Sequence, residues 1–308
     1  IDLVRASDTI HVLAESGQWL VLDRAGNALA HAERLPSVAR IVSFAGAAYL
    51  LRFDEMLARW HGRELSYLPQ EAVVLSACAL ADVLICGQSD GTLQLLDRGA
   101  NPVAATRVSE PIAAVVPVAG HGFAVLGSYG SLWVVRWPAT ELLATLVVAA
   151  VGAKLDGIFA AAVARRVGIR AGSQVGSVDV RGENAVLVPS ELSEDVREVL
   201  PLDDEEELVA LGTSGDLSVV NLPSRKARRL HAPPGGGVYT GVARLDPQAF
   251  LAWTSKGTLL RVARSGAIRT LAADGVVLVR SLGDGELCFV RWAPGEALRL
   301  DIQKEARP

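Results

Sequence analysis

Short apolar runs alternate with polar punctuation along the whole chain. The clearest stretch is Asp82 to Thr106, DVLICGQSDGTLQLLDRGANPVAAT. It reads as a strand, a tight turn at Ser89-Asp90-Gly91, a strand, a loop and a third strand. Runs of five to eight residues, rich in Val, Leu and Ile, are too short for most helices and fit strands. In TLQLLDR and SLWVVRW one face is apolar and the other mixed, as in a strand with two unlike faces. First runs such as AVVLSACAL are continuously apolar or small, which predicts burial on both faces.

Relatives of this stretch recur. The turn between the second and third run is usually a small or polar residue followed by Gly, whose freedom at positive φ suits a tight hairpin. It falls at Gly17, Asp54-Glu55, Gly91, Gly130, Gly176, Gly215, Gly257 and Gly295. The gaps are 38, 36, 39, 46, 39, 42 and 38 residues, a beat of about 40 that suits a four-stranded repeat. The fifth unit (GIFAAAVA, RVGIRAG, SVDVRG, AVLVPS) is the least regular, and the eighth offers only VVLVRSL, ELCFVRW and ALRLDIQ. Pro36, Pro69, Pro111 and Pro189 fall between runs or at their ends, where no ladder donor is lost.

A four-stranded sheet of this size cannot bury both its faces alone. Packing the sheets face to face in a ring buries them and shields most edges, whereas an open stack needs end caps, and none is visible. The predicted fold is all-β: a β-propeller of eight blades of mostly four antiparallel strands, with seven as the runner-up if the fifth unit is an insertion. The chain reads as a single domain, residues 1–308, with blades at about 1–35, 36–70, 71–109, 110–150, 151–192, 193–233, 234–273 and 274–308. It is expected to stand alone or to be one part of a larger protein. The last blade either keeps three strands, or is completed by residues outside this stretch, or accepts a strand from a partner.

The hairpin SDGTLQLLD at Ser89–Asp97, echoed by TSGDLSVVN at Thr213–Asn221, resembles the second-to-third-strand hairpin of WD-repeat and quinoprotein-like propellers. The resemblance spans all eight units and stands at the level of the β-propeller superfamily. Trp60, Trp137 and Trp292 end strands but are not followed by Asp, and no Gly-His pair recurs at the unit starts. The late-blade Trp of the quinoprotein docking motif is missing too. No binding residue therefore carries over from either family.

Composition narrows the function classes. Half of the 308 residues are apolar, ample for a core, and the net charge is −4. A weakly acidic chain lacks the field that attracts phosphate backbones, so no nucleic-acid partner is expected. The longest apolar stretch, Leu142–Ala153, has twelve residues, short of the roughly 17–25 that cross a bilayer as a helix. It reads as a buried strand with its exit loop, and no membrane span is expected. Three cysteines, Cys78, Cys86 and Cys288, argue against a disulfide framework and for a reducing, cytoplasmic setting. Cys78 and Cys86 flank a hairpin near Asp82; two buried thiols are preferred over a bridge. No Cys/His cluster has zinc spacing, and neither a metal nor another cofactor is expected.

In a propeller the first-to-second and third-to-fourth turns share one face, and the second-to-third turns share the other with the connections between blades. The acidic run Asp203, Asp204, Glu205, Glu206 and Glu207 is a first-to-second turn. The cluster Arg225, Lys226, Arg228 and Arg229 is placed in the third-to-fourth turn of the same blade. Both should emerge together, as a partner-docking patch or as a solvated rim pairing with itself for about 0–1 kcal/mol per exposed pair. The run lacks the alternating ligand spacing of calcium loops. Pro233–Gly237 is a connector without the Gly-Lys-Ser/Thr of a phosphate loop, and Ser190–Arg197 is another connection. His11, His31, His61, His121 and His231 are scattered over different units, and no G-x-S-x-G occurs. Trp60, Trp137 and Trp292 suit either interface anchors or packing between blades.

The reading that follows is a non-catalytic protein-interaction scaffold, with another protein or other domains of the same polypeptide as its partner. The alternative is an enzyme or a small-ligand or metal binder with its site at the central channel.

Overall fold

The computed structural model describes residues 2–13, 19–23, 27–30, 38–52, 56–61, 64–80, 82–118, 122–138, 142–148, 154–160, 166–179, 185–190, 192, 194–202, 206–246, 248–272, 275–283, 286–291 and 299–304. The chain is an all-β propeller of eight antiparallel blades, taken in sequence order. The first sheet is β1 (Asp2–Ala6), β2 (Thr9–Leu13), β3 (Trp19–Asp23) and β4 (Ala28–Ala30). The second is β5 (Val38–Phe44), β6 (Ala47–Arg52), β7 (Met56–His61) and β8 (Glu64–Pro69). The third is β9 (Val74–Leu80), β10 (Val83–Gln88), β11 (Thr92–Leu96) and β12 (Pro102–Arg107). The fourth is β13 (Ile112–Val118), β14 (Gly122–Gly127), β15 (Leu132–Arg136) and β16 (Ala144–Val148). The fifth is β17 (Gly157–Ala160), β18 (Arg166–Ala171), β19 (Gln174–Asp179) and β20 (Ala185–Pro189). The sixth is β21 (Val196–Pro201), β22 (Glu207–Gly212), β23 (Leu217–Asn221) and β24 (Lys226–Arg229). The seventh is β25 (Tyr239–Asp246), β26 (Ala249–Thr254), β27 (Leu259–Ala263) and β28 (Ile268–Ala272). The eighth has three strands among the described residues: β29 (Val276–Gly283), β30 (Glu286–Arg291) and β31 (Arg299–Lys304). The described residues fall into two compact units, the first ending at Ala160 and the second running from Arg166 to Lys304.

Core forms between successive sheets. Ile85, Leu93 and Leu95 of the third sheet pack with Val115, Phe123 and Val125 of the fourth. Val209, Leu217 and Val219 of the sixth pack with Val242, Phe250 and Val262 of the seventh. Complete burial belongs to the second strands: β10, β14 and β26 are buried at every residue. The first strand β9 instead alternates, which corrects the expectation of two-faced burial for first strands. Outer strands face solvent, and β16 is one of them, with Leu143 just before it and Leu146 within it more than half exposed. The stretch from Leu142 is therefore no buried strand: its apolar residues lie on the last strand of a blade. Cys78 stands opposite Ile85, and Cys86 opposite Ala77. The two thiols thus point to opposite faces of the sheet, and both are free and buried.

A backbone hydrogen bond joins the fifth, sixth and seventh sheets each to the sheet that follows. In the second-to-third turns the carbonyls of Gly172, Gly215 and Gly257 accept the amides of Val196, Tyr239 and Val276, each at 3.0 Å. These three residues begin β21, β25 and β29, the first strands of the following sheets. Gly91 accepts Val108 N–H at 3.0 Å within its own sheet, just past the end of β12. All four glycines have positive φ. A Cβ on Gly215 would lie 2.6 Å from the Tyr239 carbonyl oxygen, and one on Gly257 2.5 Å from Gly275 N. The backbones meet too closely for a side chain. In the fifth unit the turn lies at Gly172-Ser173, and Gly176 pairs with Ile169 and Leu187 inside β19. That anchor was expected four residues too late. The corrected spacings, 42 residues from Gly130 and 43 to Gly215, remove the 46-residue gap.

Gly215→Ala is expected to lower stability by about 2–4 kcal/mol, combining left-handed backbone strain with a close contact. Gly235→Ala shares the positive φ but has nothing within 4 Å of its Cβ, so only the strain of about 1 kcal/mol remains. Urea unfolding of the two variants checks the difference.

Candidate functional site

The sixth sheet brings together part of what the sequence placed there. Leu222 N–H donates to the Glu206 carbonyl at 2.8 Å, which ties the third-to-fourth turn to the first-to-second turn. Glu206, Arg225 and Lys226 are exposed at this end. Asp203, Asp204 and Glu205 lie outside the described residues, as does Trp292. Asn221 Oδ1 accepts Ser224 N–H at 3.0 Å and its hydroxyl at 2.6 Å, fixing the turn that Arg225 N–H closes on Leu222 O. Arg225 sits at φ 54, in the left-handed region that residues other than glycine seldom occupy. The matching turn of the seventh sheet has Gly266 at that place, closed on Ala263 O.

The rest of the basic cluster is not in the turn. Lys226, Arg228 and Arg229 form the outer strand β24, and alternation along it separates their side chains. Arg228 stands opposite Val219, on the face turned to the seventh sheet. It donates to Ser265 O at 3.0 Å and to Arg264 O at 2.6 Å. Arg229 pairs with Asp216 beside the opposite, second-to-third turn. Half-exposed, that pair contributes about 0–1 kcal/mol. Glu207 reaches Arg264 of the seventh sheet at 3.7 Å. The single patch expected from the sequence is thus an exposed pair, Arg225 and Lys226, beside Glu206, with two arginines committed elsewhere. Arg264 was missed; its place one blade on, in the matching turn, was the available signal.

At the opposite end Glu194 clamps the second-to-third turn. Its carboxylate accepts Ser214 N–H at 2.6 Å, Ser214 Oγ–H at 2.5 Å and Thr213 Oγ1–H at 3.0 Å. Burial pushes this carboxyl up, but the Ser214 and Thr213 bonds hold it below the usual value. Glu110 does the same for Tyr129 N–H and Ser131 Oγ–H, at 2.9 and 2.5 Å. The recurrence of Ser109-Glu110-Pro111-Ile112 in Ser193-Glu194-Asp195-Val196 was the unread sequence signal.

Trp60 packs edge-on against Trp19, with ring centroids 5.1 Å apart, and near His11. Its Nε1 is buried and has no hydrogen bond among the described residues. His11 accepts Trp19 Nε1–H at Nδ1, 3.2 Å away. Its Nε2 lies 2.9 Å from Thr9 Oγ1, whose own proton goes to Ala6 O at 2.7 Å. The chain of donors requires the Nε2–H tautomer of a neutral ring. Burial lowers the His11 pKa from 6.5 to about 4. Trp137 is half-buried against the core between the third and fourth sheets, beside Leu142 and Ala144. His61 and His231 are exposed, while His31 and His121 lie outside the described residues. Among the described residues no three His, Cys, Asp or Glu side chains are grouped to hold a metal ion, and no helix is long and apolar enough to cross a membrane.

No family model matches the sequence, and no curated protein matches it. Solved structures do match its fold. The computationally designed Ika8 protein is 13% identical, with a TM-score of 0.69 over 94% of this chain and 92% of that one. BamB from Moraxella catarrhalis is 13% identical, with a TM-score of 0.67 over the same shares. The dihydro-heme d1 dehydrogenase NirN, solved in complex with DHE, is 14% identical, with a TM-score of 0.72 over 98% of this chain and 72% of that one. At these identities the likeness shows the β-propeller fold alone.

His11 sets a pH dependence. The unfolded chain takes up the imidazole proton near 6.5, while the folded protein resists it to about 4. The contribution is therefore whole above 6.5 and is lost as pH falls toward 4. His11→Gln keeps one donor and one acceptor but cannot titrate. Its melting temperature is expected to fall less steeply than the wild type's over this range, as calorimetry at stepped pH would read.

Proposed function

We propose that the chain is a non-catalytic protein-interaction module that docks its partner on the Arg225–Lys226 end of the sixth sheet. The observation that carries this reading is Arg225 itself. The seventh sheet builds the same turn with glycine at that place, while the sixth holds an exposed arginine there at a cost of about 1–2 kcal/mol. Neither Arg225 nor Lys226 has an ion pair among the described residues. Backbone and side-chain bonds hold the turn in place, so docking there orders little further chain.

The groups with displaced titration favour the same reading. His11 is neutral within packed aromatics, and burial pushes Cys86 up to about 12. Both serve packing, and neither is poised as an acid, base or nucleophile near neutral pH. Buried free thiols suit a reducing, cytoplasmic compartment. The partner is another protein, or another domain of the same polypeptide.

Arg225→Gly is expected to raise stability by about 1 kcal/mol while weakening the partner complex, and Lys226→Glu to weaken it with stability unchanged. Quantitative affinity purification from native lysate, paired with thermal melts of both variants, reads the two effects separately. Recovery of the same partner at the same stoichiometry by both variants, or no stoichiometric partner on the wild type, would defeat the reading.

A further inference from the structure

A buried polar atom without a partner is rare, because it forfeits the hydrogen bonds it had in water. Three of them lie on the two facing sides of the second and third sheets, which belong to one compact unit. Tyr49 and Arg59 stand directly opposite each other on β6 and β7. Tyr49 packs with Leu84, Cys86 and Leu96 of the third sheet, so this pair faces that sheet. Gln94 stands opposite Cys86 on β11 and β10, so it faces back toward the second. Tyr49 Oη, Arg59 Nε and Gln94 Oε1 are all buried with no hydrogen bond, and Tyr49 as a whole is 0% exposed. Trp60 Nε1 shares this condition but faces the first sheet, and Ser218 Oγ lies in the sixth.

Their neighbours hold these groups in place. The Arg59 guanidinium donates to Gly99 O at 3.4 Å and to Arg98 O at 3.3 Å, in the third-to-fourth turn of the third sheet. Its Cζ lies 5.9 Å from the Tyr49 ring centroid. The Nε–H is thus left over on a group that is already anchored. Burial pushes the Tyr49 phenol above its usual value, with Arg59 opposing the rise and Cys86 and Asp97 adding to it. The hydroxyl therefore keeps its proton. The two groups that add to the rise bracket Gln94, which is opposite Cys86 and three residues before Asp97.

The three atoms define what fits between them. Arg59 Nε–H and the Tyr49 hydroxyl donate, while Gln94 Oε1 only accepts. A metal cation needs acceptors and is repelled by the guanidinium. A halide or carboxylate needs donors and is repelled by the amide oxygen. A neutral molecule that accepts twice and donates once satisfies all three. Phe44, Leu57, Leu84 and Leu96 around them are apolar and buried, and offer a larger polar ligand nothing to bond. Water is the smallest molecule of that class and makes about three hydrogen bonds when buried. We propose that one water molecule is a built-in member of this interface, accepting from Tyr49 Oη–H and Arg59 Nε–H and donating to Gln94 Oε1. It ties the second sheet to the third through side chains, and is independent of the docking end of the sixth.

A double-mutant cycle on the whole chain tests it, read by thermal melts and by water-oxygen magnetic relaxation dispersion, which counts long-lived internal waters. Tyr49→Phe should lower the melting temperature by about 2–4 °C, since it removes one bond to the water. An orphaned hydroxyl would act with the opposite sign, because its removal relieves a buried unpaired group. Gln94→Met keeps the bulk and removes the acceptor, with a like loss expected. The double variant should lose clearly less than the sum, because both side chains hold the same molecule. It should also show one long-lived water fewer than the wild type. A crystal structure of the wild type should place one water oxygen about 3 Å from all three atoms. A higher melting temperature for Tyr49→Phe, additive losses, an unchanged water count, or a direct bond from Tyr49 to Gln94 in the crystal overturns the proposal. Should either single variant fail to fold, the wild-type crystal structure decides.

Discussion

The carbonyl of the turn glycine is the contact on which the blade sequence depends. Gly172, Gly215 and Gly257 each present that oxygen to the first residue of the next sheet, and at Gly215 and Gly257 the two backbones approach too closely to admit a Cβ. A hairpin tip is thereby made part of its neighbour's first strand. Four second strands are tied as well: Ser89, Ser128, Thr213 and Ser255 donate their amides to the residues just before the first strands of their own sheets, at 2.8–3.0 Å. The end of one blade and the start of the next become a single backbone network, with glycine required because the close approach and the positive φ coincide.

That network sets where each side chain can go. Sheets locked in this way bury their second strands on both faces and leave the fourth strands half wet, as the contrast between β10 and β12 shows. Alternation then splits any run of like residues on a fourth strand between two faces. Arg228 and Arg229 are neighbours in sequence, yet one spans to the seventh sheet and the other turns back to Asp216. A charge cluster in the sequence of such a protein is not a cluster in space unless it lies in a turn.

This explains which parts of the molecule were legible. The forty-residue beat and the strand runs are readable because glycine, proline and apolar alternation are local signals of backbone need. Where two short hairpins compete, as at Gly172 and Gly176, the local signal is ambiguous; only pairing with the neighbouring strands decides. The stretch from Leu142 reads as buried because apolar content does not reveal a strand's position in its sheet, and position sets exposure for β16. The Glu110 and Glu194 clamps were hidden for another reason. Their partners lie about twenty residues away, and the space for each carboxylate comes from Gly127 and Gly212, which carry no apolar or charge signal.

A scaffold so strongly determined by backbone contacts leaves its chemistry to the positions where it departs from its own rules. The fold is shared with a designed protein and with a dehydrogenase, so the architecture selects no activity. One departure is local and costly: Arg225 occupies, at positive φ, a turn position that the seventh sheet gives to glycine, and glycine there would remove the strain. The exposed arginine adds nothing to the core, so stability alone does not favour it, and that is the ground on which the docking reading of the sixth sheet stands.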